Sequence, residues 1–374
     1  MTWPSTKLGD VVEFLDHWRK PITANDRVPG PVPYYGANGQ QDSVATALFD
    51  EPLVLLAEDG GHFDKPEKGV AYRIDGPSWV NNHAHVLRPR DNLDIGYLTR
   101  VLENYDLTPY VSGTTRGKLT KGRAGEIEIP LPPLPEQRRI ASILDQVDEL
   151  RARRRRALAA VELSMASLFD STIGRPSSNE AKHPRRRIDE IAVARLGKML
   201  DTAKQSGEHR RPYLRNANVQ WLSFELSSLA AMDFSPEEQI EFSLQAGDVL
   251  VCEGGQPGRC AVWQGEIENV YFQKALHRVR LDTSVMLPDV FVRTMMGLVC
   301  AGSLADSISS ATISHLTGEK LKKVEIPVPP LALQQAYLLD AQGLEILATS
   351  HRGHLAKLDE LFASLQHRAF RGEL

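Results

Sequence analysis

The stretch Ile129–Phe169 reads IPLPPLPEQRRIASILDQVDELRARRRRALAAVELSMASLF. Its prolines stand at the start, and Pro135 falls where the first turn of a helix tolerates proline. No Gly or Pro follows, so the pattern predicts one long helix. A second copy, IPVPPLALQQAYLLDAQGLEILATSHRGHLAKLDELFASLQ, spans Ile326–Gln366 at a constant offset of 197 residues (326 − 129). The chain therefore contains an internal repeat.

Both copies carry apolar residues at alternating spacings of four and three, which is the pattern of a heptad seam. The first seam is Ile140, Leu144, Val147, Leu158, Val161, Met165 and Leu168, and the second is Tyr337, Ala341, Leu344, Ala348, Leu355, Leu358, Phe362 and Leu365. Each seam turns polar at the same mid-point, Arg154 or His351. If the helices pair antiparallel these residues become neighbours, and two cationic groups there need a carboxylate, water or a partner chain. Two unrelated amphipathic helices are the alternative, and the shared register argues against it.

Composition bounds the class of protein. The 374 residues are 42% hydrophobic and 25% charged, which is typical of two to three globular domains. No apolar run is long enough to span a membrane and no signal pattern opens the chain, so we expect a cytoplasmic protein. Three cysteines do not make a disulfide framework. The net charge is −4, so nucleic-acid binding would need local basic patches or partners that supply positive charge.

The order of patterns predicts five segments. A first unit covers 1–133, a long helix 134–173, a linker 174–187, a second unit 188–330, and a second helix with a tail 331–374. The second unit repeats the strand and loop patterns of the first with 17 residues gained inside (197 − 180). The predicted fold class is α+β: two mixed α/β domains joined by two long helices.

Catalytic motifs are missing from the sequence. GTTRGKL, from Gly113 to Leu119, is one residue short of a phosphate-binding loop and has Leu after Lys. No Asn-Pro-Pro-Tyr/Phe methylase motif is present. His62, His83 and His85 lack a Cys or carboxylate placed to complete a metal site. We therefore predict no catalysis, no cofactor and no metal, with Cys252 and Cys260 as core thiols.

The chain resembles the specificity (S) subunit of type I restriction–modification systems. The resemblance covers essentially the whole chain and rests on the two proline-led helices, RPYLRNANV, GDVLVCEGGQPGR, and the paired loops SGTTRGKLT and SSATISHLT. It implies that each unit is a target-recognition domain for one half of a bipartite, asymmetric site in double-stranded DNA. It also implies that the two helices pair as an antiparallel coiled coil, act as a spacer and dock two methyltransferase subunits. Restriction translocase-nuclease subunits complete the enzyme in that family. A self-contained methylase or nuclease, and a coiled-coil scaffold without a DNA role, are the alternatives.

Base reading favours Arg for guanine and Asn or Gln for adenine. In the first unit the candidates are Tyr34, Tyr35, Asn38, Asn81, Asn82 and His83, and in the second Arg211, Arg215, Asn216, Asn218, Gln256, Arg259, Gln273 and Lys274. Phosphate contact suits the loop SGTTRGKLTKGR, because no acid lies among its cations and hydroxyls. Its candidates are Thr114, Thr115, Arg116, Lys118 and Lys121, matched in the second unit by Thr312, Ser314 and His315. A turn or scaffold role is the alternative for each.

The spacer helices carry a second set of candidates, for the seam and for partner docking. These are Glu136, Gln137, Ile140, Leu144, Val147, Arg154, Gln334, Leu344, His351 and Leu355. The copies differ at the helix start, where Leu333 stands in place of Glu136. The run RARRRR is either a solvated face or a surface for DNA or an acidic partner. The first helix should be about 55 Å long, or about sixteen base steps.

Overall fold

The structure is a computed structural model that describes residues 3–113, 117–175, 182–201, 206–304 and 315–374. The chain forms two compact units, one of Met1–Ala157 with His351–Leu374 and one of Leu158–Ser350. The sequence predicts the helices as segments of their own, whereas each helix contributes one half to each compact unit. Among the described residues, no helix combines the length and the apolar character that crossing a bilayer requires.

The described helices include the two long ones and the helix at Ile95–Leu102 that the sequence predicts, together with short helices and one of thirteen residues (Pro288–Cys300) that it does not predict. They are α1 (Leu8–Val11), α2 (Ile95–Leu102), α3 (Lys121–Gly125), α4 (Leu134–Thr172), α5 (Ile188–Ile191), α6 (Pro236–Glu241), α7 (Pro288–Cys300), α8 (Gly318–Lys322) and α9 (Leu331–Arg371). The two long helices, α4 and α9, start directly after the proline-rich entries. Asp94 caps α2 by accepting from the backbone N–H of Tyr97, which satisfies a free donor of the first turn.

The strands are short and come in the same order in both units. The first unit holds β1 (Ser5–Lys7), β2 (Val12–Phe14), β3 (Val32–Gly36), β4 (Gly39–Val44), β5 (Phe49–Asp50), β6 (Leu53–Ala57), β7 (Ala71–Ile74), β8 (Pro77–Val80), β9 (Ala84–Pro89) and β10 (Glu128–Pro130). The second holds β11 (Arg185–Arg187), β12 (Ala192–Leu196), β13 (Arg210–Leu214), β14 (Val219–Gln220), β15 (Ser223–Phe224), β16 (Ala230–Asp233), β17 (Val249–Cys252), β18 (Cys260–Val262), β19 (Tyr271–Phe272), β20 (Leu276–Leu281) and β21 (Glu325–Pro327).

Strand pairing reproduces the internal repeat. The first unit has an antiparallel sheet in the order β2-β9-β6-β7, and the second has β12-β20-β17-β18 in the same arrangement. A second sheet carries one parallel pair in each unit, β3 with β8 and β13 with β19. The strand that precedes each long helix pairs with the first strand of its unit, β1 with β10 and β11 with β21. The two units therefore share one plan.

The central strand of each unit is buried on both faces, which explains its unbroken apolar sequence. In β6, Leu53 and Leu55 pack in one hydrophobic cluster, and Val54 and Leu56 pack in another. In β17 the same alternation divides its four residues, since Val249 and Val251 face one cluster and Leu250 and Cys252 face another. Each unit is thus built as two hydrophobic layers around one sheet.

Within each unit the helix halves pair antiparallel. In the first unit Arg151 Nε donates to Asp359 Oδ1 at 2.6 Å. In the second, the rings of Phe169 and Tyr337 meet edge to face with centroids 5.6 Å apart. Going along α4 from Arg151 to Phe169, the contacted residue on α9 moves back from Asp359 to Tyr337, so the two helices run in opposite directions. Every seam residue is buried or half-buried, and Ile140 and Leu144 are fully buried.

The two polar mid-points of the seam are neighbours, as predicted. Arg154 Nη1 lies 3.2 Å from His351 Nδ1, and both residues belong to the first unit. A guanidinium can only donate, so the imidazole nitrogen accepts in this contact. The two side chains therefore hydrogen-bond to each other where the helices cross.

A buried glutamine joins the start of α4 to its domain. The Gln137 side chain accepts from the backbone N–H of Asp94 at 2.8 Å. It donates to the carbonyls of Asn92 at 3.0 Å and Pro132 at 2.8 Å. Both the oxygen and the nitrogen of its side-chain amide are therefore bonded to backbone groups of its own domain.

The start of α9 repeats this joint. The fully buried Gln334 accepts from the N–H of Leu287 at 2.8 Å and donates to the carbonyls of Val285 and Pro329, each at 2.8 Å. The sequence assigns Gln137 and Gln334 to the spacer and docking set. Both are buried in their own domains, so their contacts favour a structural role at the start of the spacer helices over contact with a partner.

Candidate nucleic-acid interface

Three loop segments of the first unit meet beside its central sheet. They follow β6, connect β8 to β9, and precede α3. The N–H of Glu58 donates to the carbonyl of His83 at 2.8 Å, and the N–H of Leu119 donates to the carbonyl of Glu58 at 2.7 Å. Ser112 and Lys118 exchange backbone hydrogen bonds and so close the third segment. The topology thus brings the predicted base-reading and phosphate-reading segments together.

Two candidates of this unit are interior groups. Tyr34 is 1% exposed, its hydroxyl lies 3.2 Å from the N–H of Ile22, and the Arg27 guanidinium covers its ring at 4.3 Å. Asn81 is 3% exposed, and its Oδ1 accepts from the N–H of His83 at 2.8 Å. These side chains hold loops in place, so their assignment to direct DNA contact is wrong.

The other candidates of the first unit reach the surface. Asn38 and Asn82 are exposed, and Tyr35 and His83 are half-buried. The Asn38 amide donates to the carbonyl of Gly60 at 2.9 Å, which ties the β3–β4 turn to the loop after β6. His83 Nδ1 is hydrogen-bonded to the carboxylate of Asp59.

The basic loop has acids nearby in space, although it has none in sequence. Thr114, Thr115 and Arg116 lie outside the described residues. Lys118 Nζ lies 3.2 Å from Glu58 Oε1, and the Arg123 guanidinium pairs with Glu126. Lys121 is exposed and lies 5.6 Å above the Phe14 ring. The expectation of an unopposed cationic loop is wrong for Lys118 and Arg123.

A buried polar cluster lies under this loop. His85 Nδ1 is 2.7 Å from Asp16 Oδ2, and its Nε2 is 2.8 Å from the carbonyl of Leu119. Arg19 Nη1 is 2.6 Å from Glu58 Oε2, and Nη2 is 3.4 Å from Asp16. Burial raises the pKa of Asp16, but the hydrogen bond and charge of His85 and the other donors hold the pKa below its usual value.

This cluster also has the spacing of a metal site, since ligand atoms of Asp16, Glu58 and His85 lie within 4.8 Å of one another. The sequence singles out His85 but misses both carboxylates, which are distant in sequence. Because the Arg19 guanidinium already supplies positive charge to both carboxylates, the group is balanced as a salt-bridge network. We therefore assign it a structural role.

In the second unit one candidate is also interior. Asn218 is 3% exposed, and its side chain accepts from the N–H of Arg215 at 3.1 Å and donates to the carbonyl of Glu225 at 2.8 Å. It fixes the turn of Asn216–Asn218, so its assignment to direct base contact is wrong. The neighbouring Asn216 donates to the carbonyl of Gly254 at 2.9 Å.

Arg259 extends this joint between two loops. Its Nη2 donates to the carbonyl of Asn216 at 2.9 Å, and its Nη1 donates to Gln256 Oε1 at 3.4 Å. Arg215, Gln256 and Lys274 are exposed. The remaining candidates divide as follows: Arg211, Gln273 and His315 are half-buried, whereas Thr312 and Ser314 lie outside the described residues.

Comparison with known proteins points to one family. Residues 1–162 match the family described as Type I restriction modification DNA specificity domain. A putative type I restriction enzyme specificity subunit of Haemophilus influenzae is 28% identical over 356 residues, which cover 92% of this chain and 88% of that protein. The chain is therefore similar to a type I restriction–modification specificity subunit over nearly its whole length.

Solved structures share the fold of this chain. The crystal structure of the type I restriction-modification S subunit from M. genitalium matches 99% of this chain and 96% of that one, with a TM-score of 0.58 and 14% identity. A chain from a structure described as the basis of complex assembly and conformational transition of the type I R-M system matches 100% of this chain and 98% of its own, with a TM-score of 0.57 and 18% identity.

Sequence reasoning missed one pair of equivalent residues in the two units. His277 is 1% exposed, and its Nε2 lies 3.1 Å from the carbonyl of Leu316. Burial lowers its pKa, and the nearby Glu253 offsets this only in part. His85 has the same contact with Leu119 in the first unit. The signal was available, because His85 and His277 fall at the same place when β9 and β20 are aligned.

Proposed function

We propose that this specificity subunit reads one half of a bipartite, asymmetric DNA site with each unit. The observation that carries the proposal is the duplication of one loop arrangement, which has the same backbone contacts but different exposed side chains in each unit. Asn38 and Asn82 are exposed in the first, and Arg215, Gln256 and Lys274 in the second. Amide and guanidinium groups match base edges in the major groove, so different sets read different bases.

The test is methylation mapping with single-unit variants. The subunit is combined with its methyltransferase subunits, and methylated positions in DNA are located by sequencing. Arg215→Ala should weaken discrimination at one half-site by about 5-fold to 100-fold and leave the other half-site unchanged. Asn82→Ala should do the reverse. Asp289→Asn, on α7 and away from the candidate loops in sequence, is the control. Equal loss at both half-sites in either variant contradicts the assignment.

The paired helices serve as a ruler in this proposal. One heptad inserted after Ala157 and one before His351 preserve the seam pattern and lengthen each helix by about 10 Å. The unread gap should grow by about three base pairs, while both half-site sequences stay the same. A change of half-site sequence with an unchanged gap overturns the ruler.

Exposed apolar side chains on the helices support docking of methyltransferase subunits. In the first unit Leu150 and Leu361 are 48% and 45% exposed, and in the second Leu339 and Ile346 are 72% and 66% exposed. Leu150 also lines a groove of about 680 Å³ beside α2. Leu339 and Ile346 stand seven residues apart on α9 and so share one helix face, which fits a docking surface for a partner.

Docking is tested by composition of the purified complex. Leu339→Glu with Ile346→Glu should remove one of two methyltransferase subunits, as measured by native mass spectrometry. Gln342→Glu, at an exposed position of the same helix, adds charge without removing an apolar group and should leave two. Two bound subunits in the double variant contradict docking at this face.

The catalytic steps belong to the partners in this proposal. Restriction translocase-nuclease subunits complete the complex, and the subunit works on DNA in the cytoplasm. The purified subunit alone should transfer no methyl group and cleave no DNA. Activity of the lone chain would favour the alternative of a self-contained methylase or nuclease.

A further inference from the structure

The same three hydrogen bonds surround a buried histidine in each unit. In the first unit they join Glu58 N–H to His83, Leu119 N–H to Glu58, and His85 Nε2 to the Leu119 carbonyl, at 2.8, 2.7 and 2.8 Å. We name the four residues Glu58, His83, His85 and Leu119 the first loop clamp.

The second loop clamp consists of Glu253, Ala275, His277 and Leu316. The N–H of Glu253 donates to the carbonyl of Ala275 at 2.9 Å, and the N–H of Leu316 donates to the carbonyl of Glu253 at 2.7 Å. His277 Nε2 lies 3.1 Å from the carbonyl of Leu316. The sequence differs at one clamp position, His83 against Ala275, and the contacts there involve only backbone atoms.

Each clamp lies where three candidate segments meet. In the second unit these are the loop that carries Gln256 and Arg259, the turn that carries Gln273 and Lys274, and the segment from His315 to α8. The clamp residues flank these candidates in sequence. A displacement of the clamp would therefore move all three segments together.

The histidine side chain links loop to sheet in this arrangement. His277 stands on β20 opposite Val251 of β17, and His85 stands on β9 opposite Leu56 of β6. Strand pairing fixes their backbones, whereas Leu316 and Leu119 lie outside the named strands. A buried hydrogen bond from a strand side chain thus sets the position of the loop against the rigid sheet.

We propose that His85 and His277 are positioning residues for sequence discrimination, one for each half-site. The inference rests on the proposed function, because the loops must read DNA for their position to matter. Base reading needs contacting groups held within about 0.5 Å of their productive geometry. Loss of the histidine donor should therefore relax discrimination at one half-site before it abolishes binding.

The experiment uses the complex with methyltransferase subunits and duplexes that carry single base changes in either half-site. In His277→Leu, preference for the unchanged duplex over duplexes changed in the second half-site should fall by at least about fivefold. Preference at the first half-site should stay within about twofold. His277→Gln can still donate to Leu316 and should restore most of the preference.

Val279→Ala is the matched control, because Val279 is a fully buried residue two positions along the same strand. It should destabilise the domain without changing discrimination. The inference is overturned if His277→Leu lowers methylation of all duplexes by one factor, or if Val279→Ala relaxes discrimination equally. The proposed function itself fails if the unaltered complex shows no preference at either half-site.

Discussion

The two units are alike at their joints and unlike around their clamp histidines. Gln137 and Gln334 make the same three hydrogen bonds to equivalent backbone groups. His85 has Asp16 on its second ring nitrogen, with Arg19 close to that carboxylate. Within the described part of the chain, the His277 ring hydrogen-bonds only the carbonyl of Leu316.

This difference separates what the fold requires from what it leaves free. A glutamine joint fixes where a domain attaches to its helix, and both copies need it. The surroundings of a recognition loop have only to hold that loop, so a charged network and a single hydrogen bond can serve equally well. Two domains of one plan can therefore carry different reading surfaces.

The joints should give the largest effect on stability. Gln137→Ala and Gln334→Ala each leave three backbone groups without their partner, one of which lies in a buried hydrogen bond and two in part-buried ones. Each should lower the free energy of unfolding by about 4 kcal/mol, measured by urea denaturation. Gln335→Ala, at the exposed neighbouring position, should have almost no effect. A large loss in only one of the two variants would break the equivalence of the joints.

The free energy of unfolding should depend on pH with opposite sign for two buried groups, Glu103 in the first unit and His277 in the second. Burial raises the pKa of Glu103 to about 7, although Arg100 opposes this. Its folded-state pKa exceeds the usual 4.5, so its contribution to stability is complete below pH 4.5 and is lost as pH rises through 7. Glu103→Gln should stabilise the protein by about 3 kcal/mol at pH 8 and by little at pH 5.

His277 should contribute to stability with a pH dependence opposite in direction to that of Glu103. Its folded-state pKa lies below the usual 6.5, so its contribution is complete above pH 6.5 and is lost as pH falls through the folded value. The unfolding midpoint of the unaltered protein should fall on acidification below pH 6.5 more steeply than that of His277→Gln. Parallel pH profiles for the two proteins would contradict this assignment.

The polar crossing of the seam should give a smaller effect. Arg154→Leu with His351→Leu replaces a half-buried polar pair by apolar groups and should stabilise the protein by about 1 kcal/mol. The register of the helices should then be less strictly specified. Arg153→Leu, at a position with 68% side-chain exposure, is the control and should not stabilise. Thermal unfolding measures both.

The start of the first helix should give the smallest effect. Glu136 pairs with Arg139 at 2.8 Å, and this hydrogen bond lowers the pKa of the carboxyl. Glu136→Leu makes this start resemble that of the second helix, where Leu333 stands. The unfolding midpoint should shift by less than about 1 °C, because the pair is at the surface. If Glu136 belongs to a docking surface, binding of one methyltransferase subunit should weaken nonetheless.

The repeat, the long helices and the apolar seam could be predicted from sequence, because periodicity reports which face of a helix is apolar. The meeting of Arg154 with His351 followed once the helices were taken to pair antiparallel, as the family resemblance implied. A single buried polar side chain produces no periodic pattern in the sequence. Sequence reasoning therefore gave Tyr34, Asn81 and Asn218 as candidates for DNA contact, although each forms hydrogen bonds inside its own domain. Gln137 stood out through its second copy, but only three-dimensional contacts reveal that it faces inward.

It was equally hard to predict which charged side chains pair with one another in the folded chain. The cations near Lys118 have no acid among them in sequence, yet Glu58 arrives from a strand end 60 residues earlier (118 − 58). Similarly, the carboxylates beside His85 come from separate loops. Non-local pairing of this kind is decided by sheet topology, which single-sequence patterns do not determine.

The division of the long helices between the compact units has a consequence for biosynthesis. The second unit, Leu158–Ser350, is one continuous segment, whereas the first needs His351–Leu374 as well. In the first unit, Trp3 Nε1 donates to the carbonyl of Ala369 at 2.8 Å. On the ribosome, the first unit is therefore completed only after the whole second unit has been synthesised. Until then, the part of α4 that belongs to the first unit lacks the segment of α9 on which it packs.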